Sequence, residues 1–271
     1  MRSMQVYSLV LIFIFQIFSI SAMSQNNDKW KAGSAKQFSG DIITLVCFIS
    51  TPNNPWLETD KTDMLSKLTE SDRWFSSQAK KFNVNIAPKY YVLNKSEDIQ
   101  FEVIEPGMAT GKESIDWVYR TMQKLGFKNS KQAYKKLRKK YKADNIQILL
   151  FAKAKGRPYS MRYAKGVNKK KYFLEGLLVF NEYNNGAPMP ISAVIAHETL
   201  HIYGAWDLYS TYSQTIDRQQ KARELYPNDI MLRVDHNINT IEINNLTAWL
   251  IGWNIYQEDI FEWFRPSDYK K

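Results

Sequence analysis

Two histidines and a glutamate stand close together at residues 197 to 201, where the sequence reads His-Glu-Thr-Leu-His. The whole chain has only three histidines. On a helix, side chains four residues apart lie on one face, so His197 and His201 can bind one metal ion from the same side. Glu198 lies beside them and can accept a proton. The pattern predicts a zinc site, and the alternative is a buried helix with two hydrogen-bonded histidines and no metal.

Gly204 and Asp207 follow at offsets that extend this pattern. Glycine often ends a helix because it adopts left-handed backbone conformations without a Cβ clash. A helix that ends at Tyr203 would let the chain turn sharply and bring Asp207 to the metal. Three protein ligands and one open position are typical of catalytic zinc. The alternative for Asp207 is an ordinary turn residue, a position that aspartate often occupies.

The complete pattern, HExxHxxGxxD, resembles the metzincin clan of zinc metallopeptidases, and its aspartate ending is similar to the snapalysin-type variant. The resemblance covers mainly residues 190 to 255. It implies a metzincin or zincin-like fold in which His197, His201 and Asp207 bind Zn²⁺ and Glu198 is the general base.

The third ligand departs from the commoner histidine of that clan, so other residues are candidates for it. These are His236 and, if the chain were instead similar to the glutamate-ligand zincins, Glu224 or Glu242. Gly204 argues against the two glutamates, because in that group the binding helix is followed by a distant helix that supplies the ligand.

The same resemblance implies a methionine-containing turn beneath the metal. Residues 226–230 contain the turn signal Pro-Asn-Asp and lead into Met231. A methionine is otherwise a common filler of apolar cores. Met231 is therefore predicted to be the structural methionine of this turn.

The elements that must position these residues indicate an α/β (α+β) fold, with a mixed twisted sheet and a smaller C-terminal lobe. Apolar residues at helical spacing predict helices over 60–82, from a cap at Ser114 to Leu125, and over 131–142. Apolar runs predict strands over 42–49, 89–93, 146–152 and 175–181. Residues 246–253 indicate a buried helix, and the aromatic residues 260–264 are expected to form a terminal strand.

The zinc-binding helix is expected to begin near Pro190, a residue favoured in a first helical turn. Its sequence is apolar nearly all round, which predicts a position in the centre of the domain. The preceding strand, 177–180, resembles by position the edge strand on which metzincins align a peptide substrate. An ordinary core strand fits its composition equally well.

Composition is that of a globular protein, with 271 residues, 44% hydrophobic and 24% charged. Residues 1–24 have the pattern of a signal peptide: Arg2, an apolar run over 6–20, and the cleavage sequence Ala-Met-Ser at 22–24. That run is short for a membrane span, although an uncleaved anchor is an alternative. We expect a secreted, periplasmic or cell-envelope protein with one catalytic domain over 25–271, its upper lobe about 40–204 and its lower lobe about 205–271.

Cys47 is the only cysteine, which excludes an intrachain disulfide, and its apolar strand indicates a structural thiol. The net charge is +10, with basic clusters at 135–142 and 169–171. Such clusters are usually solvated faces, and no nucleic-acid motif accompanies them, so no nucleic-acid partner is expected.

The sequence predicts a secreted zinc metalloendopeptidase that hydrolyses a peptide or protein substrate, without a stable membrane span. One alternative is an exported, non-catalytic binding protein on a zincin scaffold. The other is a zinc hydrolase of a non-peptide amide or ester, because the motif specifies how water is activated and not the substrate.

Overall fold

The computed structural model describes residues 32–94, 97–106, 116–143, 145–211 and 213–267. Its strands are β1 (Gly40–Ser50), β2 (Ile86–Val92), β3 (Ile99–Gln100), β4 (Asn145–Lys155), β5 (Tyr159–Met161) and β6 (Gly176–Glu182). Its α-helices are α1 (Glu58–Lys81), α2 (Trp117–Lys124), α3 (Ser130–Tyr141), α4 (Ile191–Ile202), α5 (Ile216–Leu225), α6 (Asn245–Leu250) and α7 (Asp259–Trp263), with a short 3-10 helix at Ile238–Thr240.

Within the described residues, the strands form one mixed sheet in the order β2-β1-β4-β6-β5, and β3 also pairs with β1. Every pairing is parallel except that of β5 with β6. The central strands β1 and β4 are almost continuously apolar and buried, as expected for parallel strands covered on both faces. The predicted α/β fold with a mixed sheet is confirmed.

The edge of the sheet differs from the prediction. Strand β6, which contains residues 177–180, pairs with β4 on one side and with β5 on the other along Gly176–Leu178. The three residues of β5 therefore form the antiparallel edge at this end. They were not recognisable in the sequence, because three residues are too few to show a strand period.

Helix α4 is buried in the domain, as its apolar sequence predicts. It packs on α1, β5 and β6, and all of its residues except His201 are buried. A buried helix packed in this way provides a rigid base for the side chains at its C-terminal end.

Most other predicted elements are present within a few residues of their expected ends. Helix α2 is capped by Asp116, whose side chain accepts the Tyr119 N–H, whereas the predicted cap, Ser114, lies outside the described residues. The prediction of a C-terminal strand over 260–264 is wrong, since Asp259–Trp263 forms α7. Phe261 and Phe264 are both buried. They are three residues apart, so a helix places them on one face, whereas a strand would point them to opposite faces.

The buried hydrophobic residues form one continuous core that extends from Ala35 to Phe264. Cys47 lies inside it, and burial raises the pKa of its thiol well above the usual range, as expected of a structural cysteine. None of the helices in the described ranges combines the length and apolar character that a membrane span requires. The predicted signal peptide, residues 1–24, lies outside the described residues.

Candidate metal centre

The C-terminal end of α4 turns the chain back toward the helix, and Gly204 makes this turn possible. Its φ is +109°, a value that residues with a Cβ rarely adopt. The Gly204 N–H donates to the His201 carbonyl at 3.0 Å, and the Ala205 N–H donates to the Leu200 carbonyl at 3.0 Å. These two bonds form a Schellman motif. The sequence prediction that the helix ends at Tyr203 is confirmed.

This turn brings three potential ligand atoms together. Nε2 of His197 and Nε2 of His201 are 3.1 Å apart. Oδ1 of Asp207 lies 3.3 Å from Nε2 of His197 and 3.1 Å from Nε2 of His201. Among the described residues, this is the one group of histidine, cysteine and carboxylate side chains with the spacing of a metal site. We call these three residues the triad.

The other nitrogen of each histidine is held by a backbone carbonyl. Nδ1 of His197 is 2.9 Å from the Ile230 oxygen, and Nδ1 of His201 is 3.0 Å from the Ala205 oxygen. A carbonyl can only accept, so each Nδ1 carries the N–H of the neutral ring. Both Nε2 atoms then present lone pairs toward the centre of the triad, which is the arrangement that metal-binding histidines have.

Three electron-rich atoms at such short separations repel each other unless a proton or a cation lies among them. Asp207 Oδ1 is buried and finds no hydrogen-bond donor among the described residues when both rings are neutral. Burial opposes charge on His197, but its bond to Asp207 and the charges of Glu198 and Asp207 outweigh burial and raise the pKa of His197 to about 9. Burial also favours neutral Asp207, yet the two histidines hold the pKa of that carboxyl well below its usual range.

The donor set and its spacing fit a zinc ion. Ligand atoms about 2.0–2.1 Å from a tetrahedral zinc ion stand about 3.3 Å from each other, close to the separations in the triad. Two imidazole nitrogens and one carboxylate oxygen are ordinary zinc ligands, and three of them leave a position for water or substrate. The Asp207 side chain is 25% exposed, so the centre is accessible from its side.

Glu198 is a buried carboxylate beside the triad. In the described part of the chain no side chain or backbone group hydrogen-bonds to it or pairs with it. Burial raises the pKa of Glu198, and the nearby His201 and His197 charges oppose this shift. A carboxylate with a raised pKa takes up a proton more readily near neutral pH, which suits a general base.

Met231 is fully buried, and its backbone adjoins two residues of the triad. Its carbonyl accepts the Leu208 N–H at 2.9 Å, next to Asp207, and the preceding carbonyl is the one that holds His197. Asp229 fixes this turn by accepting the Met231 N–H at 2.7 Å, the Asn244 N–H and the Thr247 hydroxyl. The turn thus supports two of the three triad residues through its backbone.

The rival third ligands lie elsewhere. His236, Glu224 and Glu242 are exposed, and none belongs to the triad. Glu224 pairs with Lys221, and Glu242 pairs with Lys81.

The sequence analysis missed four groups around the centre. Two are the carbonyls of Ala205 and Ile230, which no side-chain pattern can reveal. Tyr209 stacks on His197 with ring centroids 6.0 Å apart, and the charge of Arg157 acts on Tyr209 and on Glu198. An aromatic residue two positions after Asp207 is a weak signal, and Arg157 comes from a distant loop that only the fold brings here.

No family model matches the chain, and no curated protein is similar to it in sequence. Among solved structures, the chain is similar to metalloproteinase-II from Bacteroides fragilis, with 12% sequence identity and a TM-score of 0.39. The match covers 88% of this chain and 61% of that one, so the chain spans about three fifths of its length.

Proposed function

We propose that this chain is a secreted zinc metallopeptidase of the kind that its HExxHxxGxxD pattern resembles, including the snapalysin-type aspartate ligand. The observation that carries the proposal is the convergence of His197 Nε2, His201 Nε2 and Asp207 Oδ1 at 3.1–3.3 Å. The buried Glu198 carboxylate lies beside them and has no hydrogen-bond partner in the described ranges. His197, His201 and Asp207 hold the zinc ion, and Met231 lies in the turn that supports them.

Zinc, when bound, polarises the scissile carbonyl and lowers the pKa of the attacking water toward about 7. Glu198 accepts the proton of that water at a carboxylate oxygen and then passes it to the leaving amine nitrogen. The Ile230 and Ala205 carbonyls keep the Nδ1 atoms protonated, so the two Nε2 atoms remain available as ligands.

A peptide is the substrate that the edge of the sheet favours. Strand β5 stands at the end of the strand order, pairs with β6 and packs against α4. An extended peptide can add there as a further strand. We therefore assign the alignment of a peptide substrate, which the sequence analysis gave to residues 177–180, to the edge strand Tyr159–Met161.

Export belongs to the same proposal. It depends on the signal-peptide pattern of residues 1–24, and it would bring the enzyme to the exterior, the periplasm or the cell envelope.

The test measures zinc content and casein cleavage in the wild type, in Glu198→Gln and in Glu224→Gln. Glu224 is the matched control because it is an exposed glutamate outside the triad. We expect about one zinc per chain in all three proteins, and a loss of about 10²–10⁴-fold in cleavage rate only in Glu198→Gln.

Three results would contradict this proposal in different ways. A folded protein that binds no zinc and cleaves nothing would favour the non-catalytic alternative. Zinc binding with hydrolysis of esters or non-peptide amides alone would favour the other hydrolase. Full activity in zinc-loaded Glu198→Gln would remove Glu198 as the base.

A further inference from the structure

We propose that helix α3 and the loop before β6 bind an anionic membrane surface, with the phosphate headgroups of its lipids as the ligands. The surface that makes this contact, which we call the basic face, contains Lys36, Lys131, Lys135, Lys139, Lys142 and Lys169. None of these residues belongs to the triad, so the inference goes beyond the proposed function and does not rest on it.

The charges of this chain are distributed unevenly along its sequence. Residues 117–174 contain 18 of its 37 lysines and arginines but only one of its 27 aspartates and glutamates, Asp144, which lies outside the described residues. The rest of the chain has more acidic than basic side chains. Such an asymmetry is typical of proteins that bind a polyanion or a charged surface.

The fold joins the two basic clusters of the sequence into one surface. At the start of α3, the Ser130 N–H donates to the Lys170 carbonyl at 2.8 Å. The Ser130 Oγ accepts the N–H groups of Phe173 and Leu174 at 3.2 and 2.7 Å. Lys36, from the segment before β1, lies over the Phe173 ring at 5.8 Å. Three separate segments therefore bring cations to this surface.

Helix α3 presents its cations on the side that faces away from the core. Ala133 and Leu137 are buried, while Lys131, Lys135 and Lys139 are exposed at successive turns. Side chains of this helix and of the loop before β6 line a cavity of about 620 Å³ without an acidic residue: Lys131, Tyr134, Lys135, Arg138, Lys139, Lys142, Ala143 and Phe173. Like charges four residues apart destabilise a helix, so the stability of α3 does not explain this pattern.

The lysines of α3 lack the anionic partners that lysines elsewhere in the chain have. Lys61 pairs with Asp98 and Lys81 pairs with Glu242. Within the described ranges, none of the lysines that line the cavity forms a salt bridge with a carboxylate. Their charge is therefore available to an external anion.

The arrangement of the cations favours a lipid surface over a nucleic acid. Lysine binds a phosphate as a point charge, whereas reading bases relies on arginine and on stacked aromatic rings. The two rings of the cavity, Tyr134 and Phe173, pack edge to face with centroids 5.1 Å apart and are half-buried. The cations extend along α3 and also across its N-terminal end to Lys36 and Lys169, which suits a plane of phosphates better than a single strand. Clusters of this size on a helix are typical of anionic lipid recognition.

The basic face lies on the side of the sheet opposite to the candidate centre. The chain runs from β1 outward to β2 and then back across β1 to β4. Because parallel crossovers are right-handed, α1 lies on one face of the sheet, and α2 and α3 lie on the other. Helix α4 packs on α1, whereas α3 packs on α2 and β4. A membrane bound to the basic face would therefore leave the triad accessible from the aqueous side.

The test measures how much of the full chain sediments with vesicles of phosphatidylcholine, alone or mixed with anionic phosphatidylglycerol. The variant combines Lys131→Glu with Lys139→Glu. The matched control combines Arg73→Glu with Lys80→Glu, two exposed cations of α1, and changes the net charge equally. The α3 variant places a glutamate four residues to each side of Lys135, so urea unfolding should show no loss of stability.

We expect the wild type and the control to bind anionic vesicles more tightly than neutral ones, and to be released as the salt concentration rises. The affinity of Lys131→Glu/Lys139→Glu for anionic vesicles should fall at least about 30-fold, the contribution of two lysines near an anionic bilayer. Its zinc content should equal that of the wild type, so a failure here and a failure of the proposed function are distinguishable.

Three results would overturn the inference. The first is equal binding of the wild type to neutral and anionic vesicles. The second is an equal loss of binding in the two double variants, which would mean that only the net charge matters. The third is binding of a fluorescent DNA duplex, measured by anisotropy, that requires Lys131 and Lys139 while vesicles are not bound, which would assign the basic face to nucleic acid.

Discussion

Side chains and backbone share the work at the candidate centre. Three side chains offer the potential ligand atoms, and two carbonyls decide which nitrogen of each imidazole faces inward. The identities of His197, His201 and Asp207 are therefore demanded by chemistry. The side chains of Ala205 and Ile230 do not matter in the same way, because every residue has a backbone carbonyl. The turns that place these two carbonyls are what the site needs.

Asp207 is the proposed ligand that differs from the histidine of the commoner metzincin pattern, and it gives the sharpest test at the residue scale. Asp207→Asn preserves the shape of the side chain but removes its charge. We expect the Kd for zinc to rise at least about 100-fold, because the loss of a supporting residue alone costs 10–100-fold. Competition with a chromophoric chelator measures this affinity.

The matched control is Asp63→Asn, an exposed aspartate on α1, which should bind zinc as the wild type does. Unchanged affinity in Asp207→Asn would show that the third ligand lies outside the triad.

At the scale of elements, two helices end with the same motif. After α4, Gly204 and Ala205 donate back to His201 and Leu200, and after α6, Gly252 and Trp253 donate back to Trp249 and Ala248. Both glycines have positive φ, +109° and +84°. Only the first turn leads to a residue of the triad, so variants of the two glycines separate the effect on helix stability from the effect on the geometry of the candidate site.

Gly204→Ala should lower the free energy of unfolding by about 1–3 kcal/mol, the usual cost of a residue with a Cβ in such a backbone conformation. It should also weaken zinc binding, because the Ala205 carbonyl and Asp207 follow the strained turn. Gly252→Ala should cost a similar stability and leave the zinc affinity unchanged. Urea unfolding of metal-free protein and zinc titration provide the two measurements. Equal zinc affinities for the two variants would contradict the role of this turn.

The features that the sequence predicts correctly are those that depend on residues close together in the chain. The spacing of His197, His201 and Gly204 predicted a helix, its end and a metal site, because helix periodicity and glycine conformation act within a few residues. The edge strand β5 and the bond between the Ile230 carbonyl and His197 depend on which distant segments meet. The C-terminal helix α7 was predicted to be a strand. In so short a segment rich in aromatic residues, the spacing of apolar side chains fits the period of a strand as well as that of a helix.

At the scale of the whole molecule, distant parts of the chain clamp the end of α4. Tyr203, its C-cap residue, stacks on Phe38 with centroids 4.4 Å apart, and Phe38 stacks on Trp253 at 5.3 Å. The Trp253 indole N–H also donates to the Phe38 carbonyl. The segment before β1 and the segment after α6 therefore hold the helix that carries His197 and His201.

The same N-terminal segment is joined to β6 by a buried acid, which makes stability depend on pH. Glu175 is fully buried and accepts the Ala35 N–H at 2.9 Å and the Tyr163 N–H at 3.0 Å. Burial raises its pKa to about 8, although these bonds and the charges of Lys36 and Arg162 oppose the shift. The unfolded chain loses this proton near pH 4.5, so folding takes up a proton between that pH and about 8.

The free energy of unfolding should therefore fall as the pH rises through this window, by up to about 1.4 kcal/mol per pH unit from this one group. The Glu175→Gln side chain cannot ionise, so this contribution to the pH dependence of the free energy of unfolding should disappear. The variant also loses one of the two oxygen acceptors. Asp72 and Asp229, whose raised pKa values act in the same direction, remain in both proteins, so the difference between the two curves isolates Glu175. Urea unfolding in EDTA, at intervals from about pH 5 to about pH 8, gives both curves. Parallel curves would mean that Glu175 is ionised in the folded protein and that its two N–H donors, rather than a proton, stabilise it there.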